Sequence, residues 1–302
     1  AKTTVTIPDY TADFSVEGSH TIEVKLLKED ANNDNNGVKL TFLKLAEIGD
    51  KLYSLVFEGI RGDILKLSKI ENVENEITIE GWWRLNMPQT TGLFDCGEGG
   101  VYMGVYVGNA NVPTNALILF SGECAFYSEK TAVAPGVWHH IAATVSQVNK
   151  KSTIHAYVDG VEVSMKQMNA DDGFVLGTVK LNSGLKGENL MFRMWNKVRT
   201  AGDLKANMTK SVRTGAERKV PADCLAELIF TEGKGRLTSY GDESTATITG
   251  LRPDASVWKL FEPKPYTNVA IEGQVIPVQI DGDNIVATMP SNFNTFNNVK
   301  VK

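Results

Sequence analysis

The chain contains 302 residues, 42% of them hydrophobic, and its formal net charge at pH 7 is −5. The basic residues are dispersed, whereas nucleic-acid binding requires a concentrated positive surface, so the composition argues against a nucleic-acid partner. Because no apolar run approaches the roughly 20 residues that span a bilayer, we also expect no membrane-spanning segment.

The first 48 residues are predicted to form a short N-terminal β segment. An asparagine-rich link ends in Asn36-Gly37, and Asn-Gly is a favoured two-residue hairpin turn. Strand-like runs surround this link at residues 4–8, 21–27 and 38–45. A segment of this length buries little core alone. We therefore expect it to be accessory to a larger domain that covers residues 49–262.

The most informative part of that domain is the segment from Gly136 to Gly160, GVWHHIAATVSQVNKKSTIHAYVDG. Two alternating runs flank a polar link, and the second run closes on Asp-Gly, which predicts a β-hairpin followed by a tight turn. Side chains alternate along a strand, so one face of this hairpin is aliphatic and the other is aromatic and polar. The aliphatic face includes Ile141, Ala143 and Val145.

These residues also resemble a known family. The run WHHIAAT from Trp138, with a partner strand that ends in YVDG at Gly160, is similar to the laminin-G-like (LamG) and pentraxin-like branch of the concanavalin A-type jelly rolls. Further similar pieces follow the family's order at residues 55–59, 77–83, 193–200, 228–230 and 257–258. The resemblance implies an all-β jelly-roll sandwich of two antiparallel sheets with short terminal β appendages. It also implies an exported bacterial protein of the cell surface, periplasm or extracellular medium.

Alternation on neighbouring strands extends the aromatic and polar face of the hairpin. If Ile77, Ile79 and Trp83 point into the core, the residues between them point away from it. One non-core face would then collect seven candidate ligand-binding residues: Glu80, Trp82, Trp138, His140, Tyr157, Arg193 and Trp195. A pyranose presents an apolar C–H face to aromatic rings and hydroxyls to charged groups, so this composition is typical of a sugar platform. The alternative is that loops or an appendage cover the face and its tryptophans serve packing.

The chain ends in a C-terminal β appendage over residues 263–302, which begins at Pro263 and Pro265. Chain termini often lie close together, so the N-terminal and C-terminal appendages are expected to pair with each other. Helix is scarce in the sequence, and residues 201–208 are the one short candidate.

The sequence predicts no firm metal or cofactor site. Many members of the family that the chain resembles have an acidic pair shortly before the Arg-x-Trp motif, but this chain has Leu190 and Met191, which cannot ligate calcium. A structural calcium at another place stays open. Cys96, Cys124 and Cys224 are too few and too scattered for a disulfide scaffold or a zinc site. Both a Cys96–Cys124 bridge and free buried thiols are compatible with the sequence.

The leading prediction is a non-catalytic carbohydrate-binding module, a lectin, whose partner is a polysaccharide or oligosaccharide. Other surface proteins are further candidate partners. The paired carboxylate run of the related glucanases and the common hydrolase motifs do not occur. One alternative is a structural or protein-interaction domain with a covered aromatic face. Another is a divergent glycoside hydrolase with carboxylates from different strands, such as Glu80 and Asp159, and fold alone does not decide among these functions.

Overall fold

The computed structural model describes residues 51–261, except 61, 69, 72, 170–172, 215–218, 241–243 and 251, together with the strands of the two terminal segments. The first strands in chain order are β1 (Thr4–Val5), β2 (Gly18–Leu26), β3 (Gly37–Lys44), β4 (Tyr53–Glu58), β5 (Leu65–Leu67), β6 (Glu76–Leu85), β7 (Thr91–Asp95), β8 (Val101–Tyr106), β9 (Ala116–Ser121), β10 (Cys124–Ser128), β11 (Trp138–Val148) and β12 (Lys151–Val158). The later strands are β13 (Val161–Val163), β14 (Met165–Gln167), β15 (Lys180–Leu181), β16 (Lys186–Trp195), β17 (Cys224–Ile229), β18 (Leu237–Ser239), β19 (Thr245–Ile248), β20 (Trp258–Leu260), β21 (Asn268–Ile271), β22 (Gln274–Asp281), β23 (Asn284–Thr288) and β24 (Val299–Val301). The described helices are α1 (Ala201–Asn207) and a short 3-10 helix (Asp254–Ser256).

The chain divides into two compact units. The smaller unit combines residues 1–45 with residues 263–302, and the larger unit contains residues 46–262. In the smaller unit, β1 pairs with β23 in a four-stranded sheet of order β1-β23-β22-β21. A three-stranded sheet of order β24-β2-β3 accompanies it. Strands from both ends of the chain therefore share each of these sheets.

The larger unit contains two antiparallel sheets. The nine-stranded sheet has the order β14-β10-β9-β8-β7-β15-β5-β19-β18. The eight-stranded sheet has the order β13-β12-β11-β6-β16-β4-β20, and β17 also pairs with β16. Phe94 of the first sheet stacks on Phe192 of the second with ring centroids 6.0 Å apart, and both belong to one hydrophobic core. The predicted all-β sandwich is confirmed.

Strands β11 and β12 form the predicted hairpin. Asn149 and Lys150, which connect them, have φ angles of 51° and 62°, as a type I′ turn requires. Asp159 and Gly160, with φ angles of 54° and 74°, turn the chain from β12 into β13. The residues predicted to point inward from β11 and β6 all lie in the core: Ile141, Ala143, Val145, Ile77, Ile79 and Trp83.

Strand β16 departs once from simple alternation. A bulge between Asn189 and Met191 shifts its register against β6. Beyond the bulge, Phe192 and Met194 point into the core as the alternation predicts. Leu190 is fully buried at the bulge but does not join the main core.

Helix α1 begins at a reciprocal capping box. The Thr200 hydroxyl accepts the Asp203 backbone N–H at 3.1 Å, and the Asp203 carboxylate accepts the Thr200 N–H at 3.2 Å. A helix of seven residues is not stable in isolation. Its buried Leu204 packs with Ala142 and Tyr157, so tertiary contact with the eight-stranded sheet maintains the helix.

Candidate functional site

The seven predicted ligand-binding residues lie together on the outer side of the eight-stranded sheet. Across the strands, Trp82 opposes His140 and Glu80 opposes Arg193. None of the seven exposes more than 6% of its surface: Glu80, Trp82, Trp138, His140, Tyr157, Arg193 and Trp195. The alternation therefore assigned the face correctly, but the face is covered rather than open.

The cover consists mainly of helix α1 and residues 207–213, which we call the strap. The indole N–H of Trp82 donates to the carbonyl of Met208 at 2.5 Å. Val212 of the strap packs with Trp195, while Phe261 packs edge-on against Trp138 with ring centroids 6.0 Å apart. The aromatic residues of this face thus bind the protein's own chain.

The charged residues beneath the strap form a buried network. The carboxylate of Glu80 accepts from His140 Nε2 at 2.9 Å, from the Trp195 indole at 2.8 Å and from Arg193 at 3.3 Å. Burial opposes ionisation of this carboxyl, yet the Arg193 charge and these hydrogen bonds lower its pKa to about 2. Glu80 is therefore ionised at neutral pH, which is unsuitable for a general acid.

Arg193 and Glu227 connect this network to the strap. Arg193 donates to Glu227 at 3.0 Å and to the carbonyl of Asn207 at 3.0 Å, and it also donates to the carbonyl of Lys210. Glu227 accepts from the hydroxyl of Ser211 at 2.7 Å and from the backbone N–H of Val212 at 2.8 Å. The side chains of Arg193 and Glu227 are hydrogen-bonded to the strap and buried beneath it, so they do not face solvent. Sugar binding by the seven predicted residues stays a prediction that would require the strap to move.

The carboxylates named in the hydrolase alternative also have structural partners. Asp159 accepts from the ring of His139 at 2.8 Å and from the backbone N–H of His140 at 2.9 Å. It thereby fixes the turn at the end of β12, while Glu80 is paired with Arg193. Glu80 is buried, and both oxygens of the partly exposed Asp159 already accept hydrogen bonds within the protein.

The structure records the three cysteines of the larger unit as buried and outside any disulfide: Cys96, Cys124 and Cys224. Burial raises the pKa of the Cys96 thiol, and burial together with the nearby Glu227 charge raises that of Cys224 to about 12. Within the described residues, no three His, Cys, Asp or Glu side chains converge as they would around a metal ion. Leu190 and Met191 are buried, and they occupy the place where many members of the family that the chain resembles have an acidic pair.

The outer face of the nine-stranded sheet is open by contrast. Eight residues, one from each of eight neighbouring strands, are register partners in succession and form a row across the sheet, which we call the transverse row. Met168, just beyond β14, extends the row, because its backbone N–H donates to the carbonyl of Ala125. Every member of this transverse row is partly or fully exposed: Leu237, Thr247, Lys66, Lys180, Asp95, Tyr102, Phe120, Ala125 and Met168. At one strand spacing per step the row extends roughly 38 Å across the sheet.

An aromatic pair occupies one half of the transverse row. Tyr102 and Phe120 meet edge to face, with ring centroids 5.6 Å apart, and Phe120 is 37% exposed. The Tyr102 ring lies over Gly92 and Gly104, where a Cβ at Gly104 would approach the phenol oxygen to 2.6 Å. Burial and the neighbouring Asp95 charge raise the Tyr102 pKa to about 12, so the hydroxyl keeps its proton. Among the described residues no group hydrogen-bonds this hydroxyl.

Sequence reasoning missed this surface. In β8, Tyr102 and Tyr106 alternate with the buried Val101, Met103 and Val105, which is a recognisable signal for a partly exposed aromatic side. In β9, however, the run ALILFS is apolar on both faces, and periodicity does not separate Phe120 from the core residues beside it. Only the register between the strands brings the row together.

Comparison with known proteins identifies the fold family. A profile of the family described as Laminin_G_3, the concanavalin A-like lectin/glucanases superfamily, matches residues 61–205. This part of the chain belongs to that superfamily. The Laminin_G_3 match ends inside α1, so the strap and strands β17 to β20 of the same unit lie beyond it. No curated protein matches the chain in a sequence search.

Solved structures with similar architecture have low sequence identity. A candidate carbohydrate-binding protein from Bacteroides ovatus ATCC 8483 is 12% identical, with 83% of this chain and 90% of that chain covered and a TM-score of 0.48. The heptameric SAP-like pentraxin from Limulus polyphemus is 11% identical, with coverages of 76% and 95% and a TM-score of 0.37. Domain 4 of AbnA, a GH43 extracellular arabinanase from Geobacillus stearothermophilus in complex with arabinotriose, is 14% identical, with coverages of 62% and 86% and a TM-score of 0.39.

Among the residues that the structure describes, no helix is long and apolar enough to cross a bilayer.

Proposed function

We propose that the larger unit is a non-catalytic carbohydrate-binding module and that it binds glycans along the transverse row of the nine-stranded sheet. The observation that carries this proposal is the edge-to-face pair of the partly exposed Tyr102 and the exposed Phe120, bordered by the carboxylate of Asp95. Aromatic rings accept the C–H face of a sugar, and the neighbouring polar groups bind its hydroxyls. The surface on which the function depends thus differs from the seven residues that the sequence favours.

Binding is favoured over hydrolysis by the composition of the row. It contains one carboxylate, Asp95, whereas glycosidases usually require two that flank the scissile bond. The covered face of the eight-stranded sheet favours a structural role for Trp82 and its neighbours. The alternative of a structural or protein-interaction domain shares the covered aromatic face, but it would bind through loops or exposed strand edges rather than through the transverse row. The proposal keeps the expected export of the protein, which fractionation of the native cells would test.

The direct test is a binding screen of the full chain against soluble polysaccharides by affinity gel electrophoresis, followed by calorimetry on the best ligand. We expect Phe120→Ala to weaken binding roughly three- to tenfold, because one aromatic contact is lost. Val161→Ala is a matched control, since Val161 is also an exposed apolar residue but lies on β13 of the other sheet. Equal affinity of wild type and Phe120→Ala, or no binding to any polysaccharide, would overturn the proposal.

A further inference from the structure

Two lysines occupy neighbouring positions in the transverse row. Lys66 of β5 and Lys180 of β15 are directly opposed in the antiparallel register. Cross-strand partners have Cβ atoms about 4.5–5.5 Å apart, and like charges placed directly opposite each other destabilise a sheet. In the described part of the chain, the side chain of neither lysine forms an ion pair or hydrogen bond with the protein. The fold therefore holds two uncompensated positive charges side by side on an open surface.

The surroundings of the two lysines do not neutralise them. In the row, Lys66 is followed on its other side by the uncharged Thr247, and Lys180 by Asp95. The Asp95 carboxylate accepts the backbone N–H of Gly97 at 2.8 Å and makes no ion pair with Lys180. Two positive charges thus face one negative charge in this half of the row, although the whole chain carries a net charge of −5.

The lysines and the aromatic pair are spaced along one line. Lys180 is three strand steps from Phe120 and Lys66 is four, through Asp95 and Tyr102. At the usual strand spacing these steps correspond to roughly 14 and 19 Å. A single sugar ring cannot reach both places, but an oligosaccharide that lies across the strands can.

We propose that the ligand is an acidic glycan chain, which stacks one sugar on Tyr102 and Phe120 and places a carboxylate or sulfate of another sugar between Lys66 and Lys180. This inference rests on the proposed function and specifies its ligand class. An anion between the two lysines removes their mutual repulsion and forms charge-assisted hydrogen bonds to both ammonium groups. Since the site is exposed, the interaction is weakened by salt.

The test compares polysaccharides that differ only in charge. Polygalacturonate and its fully methyl-esterified form present the same backbone with and without carboxylates, while dextran sulfate and dextran do so for sulfate. We expect the full chain to bind at least one anionic polymer about tenfold more tightly than its neutral counterpart at low salt. The pair with the larger ratio of anionic to neutral affinity tells whether the anion is a carboxylate or a sulfate.

Charge-removing variants then locate the anion. Lys66→Met and Lys180→Met should each weaken binding of the anionic polymer two- to fivefold and leave binding of the neutral one unchanged. Lys205→Met is the matched control, because Lys205 is an exposed lysine of α1 beside the other sheet. Phe120→Ala should weaken binding of both polymers.

The outcomes separate this inference from the proposed function. Equal binding of charged and neutral polymers, both weakened by Phe120→Ala, would overturn the acidic ligand and keep the glycan site. Binding that falls equally in Lys205→Met and Lys180→Met would show non-specific charge attraction and overturn the inference. Binding of poly-L-glutamate as tight as that of the acidic glycan, without an effect of Phe120→Ala, would point to an acidic protein partner instead. Absence of binding to every polymer would overturn the proposed function itself.

Discussion

The arginine at the centre of the covered face is the residue whose replacement should reveal how the strap is held. Arg193 exposes 1% of its surface and donates to the carboxylates of Glu227 and Glu80 at 3.0 and 3.3 Å. Arg193→Met keeps an apolar stem but removes one counter-charge from two buried carboxylates, of which Glu227 keeps its pairing with Arg213 at 3.1 Å. Removing one partner of a buried ion pair costs about 3–5 kcal/mol, and we expect a loss of this size in the free energy of unfolding.

Urea unfolding followed by tryptophan fluorescence measures this loss in the full chain. All five tryptophans belong to the larger unit, so the signal does not report on the smaller one: Trp82, Trp83, Trp138, Trp195 and Trp258. Arg199→Met is the control, because Arg199 is partly exposed and pairs with Asp223 at 3.1 Å. This surface pair, together with the cation–π contact 4.4 Å above Trp195, should contribute about 1 kcal/mol.

The double variant Arg193→Met with Glu80→Gln refines the test. If Arg193 stabilises mainly by compensating buried charge, the second substitution should cost less in the Arg193→Met background than in the wild type. A loss below about 1 kcal/mol for Arg193→Met, equal to that of Arg199→Met, would refute the reasoning. The strap would then be held by packing rather than by the ion pairs.

Two further predictions concern the same face. The pKa of Glu80 is lowered from its ordinary 4.5 to about 2, so its ionised form stabilises the fold fully above pH 4.5. About 3 kcal/mol of the free energy of unfolding is lost as the pH falls from 4.5 to about 2. Urea titrations between about pH 5 and 3 should show a shallower decline for Glu80→Gln than for wild type, and parallel declines would contradict the network. Gly81→Ala places a Cβ 2.5 Å from the Met191 carbonyl oxygen and should destabilise by about 1–3 kcal/mol in thermal unfolding. Gly202→Ala, whose Cβ meets only Thr200 at 3.7 Å, should be neutral or stabilise α1 by up to about 1 kcal/mol, and the reverse order of the two glycine variants would contradict the register of β6 and β16.

The fold followed from local patterns. Alternation assigned Ile141 and its neighbours to the core, and the Asp159-Gly160 pair marked the turn after β12 correctly. Such features depend on residues close together in the chain, because the direction of a side chain on a strand and the type of a turn are set by neighbouring backbone angles. The same logic placed the seven candidate residues on one side of one sheet.

The bulge at β16 shows where this logic ends. Strict alternation places Leu190 in the core with Phe192, but the register shift between Asn189 and Met191 takes it out of the main core cluster. An extra residue in one strand changes its partners only when the neighbouring strand is present. The sequence of β16 has no glycine or proline at that point to signal the shift.

The sequence by itself determined the β11–β12 hairpin, the inner residues of β6 and β11 and the composition of the outer face of the eight-stranded sheet, since each of these depends on short-range periodicity. The tertiary structure alone decided which outer face is open. The strap contacts Arg193 and Trp82 through backbone carbonyls. Because every residue has a backbone carbonyl, no sequence pattern predicts these contacts. The transverse row joins Lys66, Lys180 and Phe120 from distant parts of the chain, and only hydrogen-bonded register aligns them on one surface.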